Sequence, residues 1–327
     1  MKVMKMEPFN DPSKHYRTLN GHYLSTYGKK VYKIPLNGGF SCPNIDGTVA
    51  YGGCTFCSAL GSGDFAGDRH DPLAVQFRQG LRMMRAKWKD GLLIPYFQAN
   101  TNTHGPVTKL KALFEEAITL DPRIVMLSVA TRPDALPRDV MEYLEDLAKR
   151  IPLQVELGLQ SIHETTARLV NRAHSLEVFD DAVRRLRAIG ADVVVHIING
   201  LPYETEDMMT DTTRHLNTLD IQGVKIHMLH IMDKTRMGVA YLKDPWPVLS
   251  LEDYVRITVR QLRLFNPAFV IHRVTGDAPA DLLIAPEWTR KKFVVMNEID
   301  KLMRKENTWQ GDLYDEHDHQ DNPSSSL

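Results

Sequence analysis

The sequence predicts an α/β protein built on a parallel sheet, and three observations carry that reading. Short apolar runs alternate with amphipathic stretches of 3.6-residue spacing from residue 31 onward. Nearly all the amphipathic stretches are long enough to cross back over a sheet between parallel neighbours. Polar clusters recur at the C-terminal ends of the apolar runs, where folds of this kind bind ligands. A partial (β/α) barrel and an open doubly wound sheet both satisfy the pattern.

The first run, VYKIPL (31–36), is followed by a helical stretch at 72–88 and the run LLIPYF (92–97). Helical periodicity at 106–120 leads to IVMLSVA (124–130), and that at 136–150 to LQVELGL (153–159). Two helical stretches, 164–172 and 175–189, precede DVVVHII (192–198); a further one, 204–219, precedes VKIHMLHI (224–231). Ser175 with Glu177, and Glu204 with Glu206, supply helix starts, and Gly190 supplies a stop. Longer helices at 250–265 and 288–305 flank the last run, FVIH (269–272). The expected division is an N-terminal extension (1–30), a barrel (31–235), a C-terminal extension completing the sheet edge and substrate face (236–310), and a polar, disordered tail (311–327).

Composition narrows the function classes. The 327 residues carry 40 Lys+Arg against 41 Asp+Glu, a net charge of −1, which excludes a globally basic nucleic-acid binder but not a local basic face. No run reaches the ~18 to 20 apolar residues of a membrane span, and the N-terminus lacks a signal-peptide core. A cytoplasmic protein without membrane association is expected. Its three cysteines, Cys42, Cys54 and Cys57, lie on one Gly-rich segment, GGFSCPNIDGTVAYGGCTFC (38–57). Clustered thiols in a reducing compartment indicate metal ligands. Three thiolates leave one position open. A structural zinc site needs a fourth ligand such as His70, whereas an iron–sulfur cluster with one open iron does not.

The segment ending Cys54-Thr-Phe-Cys57 resembles the cluster loop of radical S-adenosylmethionine (SAM) enzymes. Further segments, ELGLQSIHETT (156–166), HIINGLP (196–202), YFQANTNTH (96–104) and ATRPD (130–134), resemble the branch of the elongator catalytic subunit, and most closely its MnmL-type family. The resemblance implies a partial (β/α)6 TIM-like barrel of the radical SAM type. Cys42, Cys54 and Cys57 would hold a [4Fe–4S] cluster and so be catalytic, and the cluster's electron would cleave SAM to a 5′-deoxyadenosyl radical. Phe56, Gln98, Glu156, Gln160, Ser161, Arg172, His196 and Asn199 would contact SAM. Gln98 or a nearby carbonyl would stand in for the usual Gly-Gly-Glu, which is absent. The substrate would be a tRNA wobble uridine, 5-carboxymethylaminomethyl-(2-thio)uridine, converted to 5-aminomethyl-(2-thio)uridine. An external electron donor such as flavodoxin or ferredoxin is implied as a partner.

The residues bear on these roles independently. Glu156 lies mid-strand on the inward parity, where a carboxylate is costly unless paired. Asn100 and Asn102 follow the second strand, and Arg132 sits at a strand end suited to a carboxylate or phosphate; all three are substrate candidates. Arg273 and Asp277 are candidates for recognising the nucleoside. His227 and His230, three apart on a strand, should face opposite sides. Basic residues concentrate at Arg78, Arg82, Arg85, Lys87 and Lys89, and again at Arg290, Lys291, Lys292, Lys301, Arg304 and Lys305; these are candidate phosphate contacts. Tyr16, Tyr23 and Tyr27 suit either base stacking or a packed arm. Two rival readings are a radical SAM enzyme acting on a small molecule or peptide, and a non-catalytic zinc-stabilised nucleic-acid-binding module.

Overall fold

A computed structural model describes residues 11, 13–58, 61, 63, 66–85 and 90–315. Seven parallel strands form one curled sheet, a partial TIM barrel, in the order β1 (Val31–Leu36), β2 (Leu92–Phe97), β3 (Leu127–Thr131), β4 (Leu153–Gln160), β5 (Asp192–Asn199), β6 (Gly223–Met228) and β8 (Val270–Arg273). Between them run α2 (Leu73–Arg85), α3 (Val107–Thr119), α4 (Arg138–Ala148), α5 (Glu164–Leu169), α6 (Leu176–Ala188) and α7 (Glu206–Asn217). The short β7 (Ile231–Met232) and β9 (Leu283–Ala285) pair antiparallel, with α8 (Arg236–Lys243), α9 (Leu251–Leu264) and α10 (Lys292–Glu306) in the C-terminal part. No helix of the described residues is long and apolar enough to cross a membrane.

The alternation within each strand explains where the core lies. On β4, Val155, Leu157 and Leu159 are buried against the helices, while Glu156, Gly158 and Gln160 face the barrel interior. Ile34, Phe97, Val129, Val195 and Ile226 continue the outer apolar layer, so the main core lies between sheet and helices. Each such side chain adds about 1.5–3 kcal/mol when fully buried. The interior face is polar and encloses a cavity instead.

Helix ends follow local chemistry. Ser175 accepts from Val178 N and begins α6 as expected, and Gly190 lies just past its end at φ 80. Thr205, not Glu204, caps α7, because Glu204 is held by Ser161. An unexpected helix, α1 (Leu19–Tyr27), occupies the N-terminal extension: Thr18 accepts from Gly21 N and Gly28 ends it at φ 65. It rests on β1 and β8, the two open edges of the sheet, and Ile271 N donates to Arg17 O at 2.8 Å. Tyr16 and Tyr23 are buried, so these two pack within the arm and are not free to stack on a base, while Tyr27 is half-buried. Residues 311–315, expected in the disordered tail, turn back onto α9: Gly311 N donates to Leu262 O and Leu313 N to Arg263 O. The rest of that tail, like Lys87 and Lys89, lies outside the described residues.

Candidate active site

The barrel interior holds a cavity of about 1190 Å³. Cys42, Cys54 and Cys57 line one end of it, half-buried. Their loop is turned by glycines: Gly47, Gly52 and Gly53 sit at φ 89, 78 and 69, which side chains rarely adopt. The loop is then fixed from several sides. Thr55 N donates to Val170 O (2.9 Å), Met237 N donates to Thr55 O (2.8 Å), and Asn171 Nδ2 donates to Gly53 O (2.7 Å). Phe56 packs into a small apolar cluster with Val170, Leu201, Leu229 and Met237.

The thiols suit a metal centre. A hydrogen bond from Cys57, then the positive charge of Arg132 and Arg172 and a contact from Asn44 (3.5 Å), outweigh burial and lower the Cys54 thiol to about 7. A thiol that loses its proton near neutrality, with two more on the same loop bordering open space, fits an iron–sulfur cluster held by three cysteines. His70, the candidate fourth zinc ligand, is exposed and does not line the cavity.

The remaining expected residues divide in two. Phe56, Gln98, Gln160, Glu156 and His196, with Asn100, Arg132, Arg273 and Asp277, line the cavity. Gln160 sits at φ 63 beside a bulge in the β4–β5 pairing, and a Cβ on Gly158 would meet its amide at 2.6 Å. Backbone strain of this kind clusters at functional sites. Asn100 donates to Phe40 O at 3.1 Å, and Arg132 is held in a two-bond pair by Asp134 at 2.9 and 2.7 Å. Asp134 is therefore Arg132's partner and caps no helix; the residue at the start of α4 is Pro137.

Arg172, Ser161, Asn199 and Asn102 lie outside the cavity lining, and their side chains are engaged within the protein. The Arg172 guanidinium is 1% exposed and fully engaged, donating to the carbonyls of Leu159 (3.1 Å), Ser161 (2.5 Å) and His174 (3.0 and 2.8 Å) and to Glu164 (3.1 Å). Ser161 binds Glu204, Asn199 donates to Gln261 (2.7 Å), and Asn102 donates to Ala130 O (2.8 Å). These groups satisfy the backbone and neighbouring side chains around the strand ends, where a polar residue is needed whether or not a ligand binds.

Glu156 is fully buried but paired. It accepts from Lys33 (2.5 Å), Ser128 (3.3 Å), Tyr96 (2.6 Å), His196 (2.9 Å) and Lys225. Lys225 and Lys33 hold it well below the usual carboxylate range despite burial. Burial lowers Lys225 to about 7 and His196 to about 4. The Lys33 and Lys225 nitrogens lie over the Tyr96 ring, at 4.9 and 4.8 Å. Lys33, Tyr96 and Lys225 were not singled out from sequence, although a lysine at an inward strand position is itself a signal. His227 and His230 both line the cavity, because β6 ends at Met228 and the chain turns before His230.

A second pocket of about 410 Å³ adjoins the first. Arg290, Lys291, Lys292 and the 70%-exposed Phe293 line it, and it shares His230, Gly276, Asp277, Lys292 and Phe293 with the main cavity. Arg78, Arg82 and Arg85, and Lys301, Arg304 and Lys305, are exposed but line neither pocket.

Comparison with known proteins follows this geometry. The model of the radical SAM superfamily matches residues 49–216, and that of the radical SAM C-terminal domain matches 221–305. Uncharacterized protein YtqA of Bacillus subtilis is 49% identical over 307 residues, 94% of this chain and 95% of that protein. Protein YhcC of Escherichia coli is 33% identical over 287 residues, 87% and 91% of the two chains. Elongator complex protein 3 of Saccharomyces cerevisiae is 27% identical over 175 residues, 49% of this chain but 29% of that protein. The structure of Elp3 from Methanocaldococcus infernus shares the fold, with a TM-score of 0.62 at 16% identity over 85% of this chain and 63% of that one.

Proposed function

The chain belongs to the radical SAM superfamily, and on that premise we propose that it modifies a tRNA wobble uridine, converting 5-carboxymethylaminomethyl-(2-thio)uridine to 5-aminomethyl-(2-thio)uridine. It is an enzyme that uses a [4Fe–4S] cluster and SAM, and is related to elongator complex protein 3; the non-catalytic zinc module is thereby set aside. Cys42, Cys54 and Cys57 hold the cluster. When bound, cluster and SAM together supply a carbon-centred radical able to take hydrogen from an unactivated C–H bond.

The protein's own groups do the rest. Gln98, Gln160 and His196, at strand ends or inward positions lining the cavity, orient SAM. Arg132, fixed by Asp134, keeps positive charge beside the thiolates. The enclosing barrel excludes water from the reactive carbon. A flavodoxin or ferredoxin supplies the electron from outside.

One observation carries the tRNA reading. The cavity opens into a pocket lined by Lys291, Lys292 and the exposed Phe293, with Arg273 and Asp277 at the junction. Cations beside an exposed aromatic suit the phosphate and base of a nucleotide swung out of its stack. Nucleoside mass spectrometry of bulk tRNA from a strain lacking the protein tests it. The carboxymethylaminomethyl nucleoside should accumulate, and the nucleosides made from its aminomethyl product should disappear. An unchanged wobble profile refutes the tRNA substrate and turns the search to small molecules or peptides.

A further inference from the structure

We propose that Lys225 and His227 form a carboxylate receptor on the cavity wall, which selects a substrate bearing an anionic side-chain end and disfavours the amine left after its removal. The inference deepens the wobble-uridine reading and rests on it for the identity of the substrate, but not for the receptor itself.

Counting donors singles out Lys225. An ammonium has three N–H donors. Those of Lys33 meet Glu156 (2.5 Å), Gln154 (2.6 Å) and Ser128 (3.2 Å). Lys225 meets only Glu156 and, at 3.3 Å, Tyr96 among the described residues, so one donor remains in the cavity that it lines. Glu156 itself accepts from five groups, more than the roughly four lone-pair sites of a carboxylate, and has no capacity for a ligand.

Charge points the same way. One carboxylate cannot neutralise both Lys33 and Lys225, and burial lowers Lys225 to about 7, so a further anion beside Lys225 Nζ is needed to hold its proton. His227 adds a second group: its Nε2 is buried without a partner, and its ring lies 5.1 Å from that of His196. The nearby anion, Asp277, is already claimed by Arg273 (2.8 Å) and Lys292 (2.5 Å). A ligand carboxylate bridging Lys225 Nζ and His227 Nε2 supplies the missing charge. A protonated amine product places like charge against Lys225 and is repelled.

The test titrates the anaerobic holoprotein, loaded with cluster and SAM, with N-ethylglycine, which carries the substrate's side-chain end, and with ethylamine, which mimics the product. N-ethylglycine should bind at least about tenfold more tightly than ethylamine. Lys225→Met should weaken it about tenfold, and Lys225→Arg should restore most of the loss. His227→Phe, a separate variant, should weaken it several-fold. Equal binding by wild type and Lys225→Met, or no binding by wild type, overturns the receptor. With modified tRNA as substrate, Lys225→Met should raise KM more than it lowers kcat. If N-ethylglycine needs Lys225 but the tRNA is not turned over, the receptor stands and the wobble-uridine reading falls. If Lys225→Met turns over the tRNA with wild-type KM, the receptor falls and that reading stands.

Discussion

Replacing Arg172 with lysine separates scaffold from ligand at a position where chemistry alone permits either. The guanidinium makes five hydrogen bonds to four acceptors: the carbonyls of Leu159, Ser161 and His174, the last of them twice, and the Glu164 carboxylate. Lysine offers three donors from a single point, so at least one acceptor goes unserved. A buried acceptor left without a partner costs about 1–3 kcal/mol, which puts the substitution at about 2 kcal/mol. That is a sizeable fraction of the 5–15 kcal/mol that ordinarily holds a domain folded. At roughly 2–4 °C per kcal/mol for a domain of this size class, the melting temperature should drop by roughly 4–8 °C.

The effect should reach the cysteines. Arg172 lies in the tight Asn171–His174 turn, where Asn171 donates to Gly53 O and Arg132 donates to Arg172 O at 2.9 Å. Loosening the turn should therefore lower iron loading as well as stability. The assay is anaerobic thermal denaturation of the metal-free protein without SAM, followed by iron content after reconstitution. A variant that melts within about 2 °C of wild type but binds SAM tenfold more weakly refutes the scaffold role, and assigns the guanidinium to the SAM carboxylate.

Serine at Cys42, Cys54 or Cys57 should abolish both the brown iron–sulfur absorbance and SAM cleavage after reconstitution, since a hydroxyl does not replace a soft thiolate. Alanine at Gly158 puts a Cβ 2.6 Å from the Gln160 amide; it should raise the dissociation constant for SAM several-fold in equilibrium binding, with a smaller effect on melting. The buried histidines predict acid lability. Burial lowers His174, His196 and His230 to about 4, so between pH 6.5 and 4 the unfolded chain binds protons that the native state does not. Stability is present above pH 6.5 and is lost as pH falls, at up to about 4 kcal/mol per pH unit from these three groups near pH 5. Urea denaturation at pH 7, 6 and 5 checks this, and a flat profile contradicts it.

What the sequence reveals here depends on whether one chemistry or two can explain a residue. The seven strands are legible because their outer faces bury runs such as Val155, Leu157 and Leu159, a pattern with no other use. Helix α1 escapes because it owes its ends to caps, Thr18 with Gly28, rather than to an apolar period. The cysteines are legible because three clustered thiols serve little else. Arg172, Ser161, Asn199 and Asn102 read two ways because a strand end needs polar side chains for two reasons, to hold a ligand and to satisfy the chain's own loop carbonyls and donors. Sequence position is the same in both cases, and only the spatial partner separates them. Lys33 and Lys225 fail in the opposite way. They sit within apolar runs and read as strand, yet they share the inward parity of Glu156 and cancel its charge. A buried acid therefore implies a buried base on a neighbouring strand at the same parity. Here two bases answer one acid, and that imbalance makes the cavity a receptor for an anion.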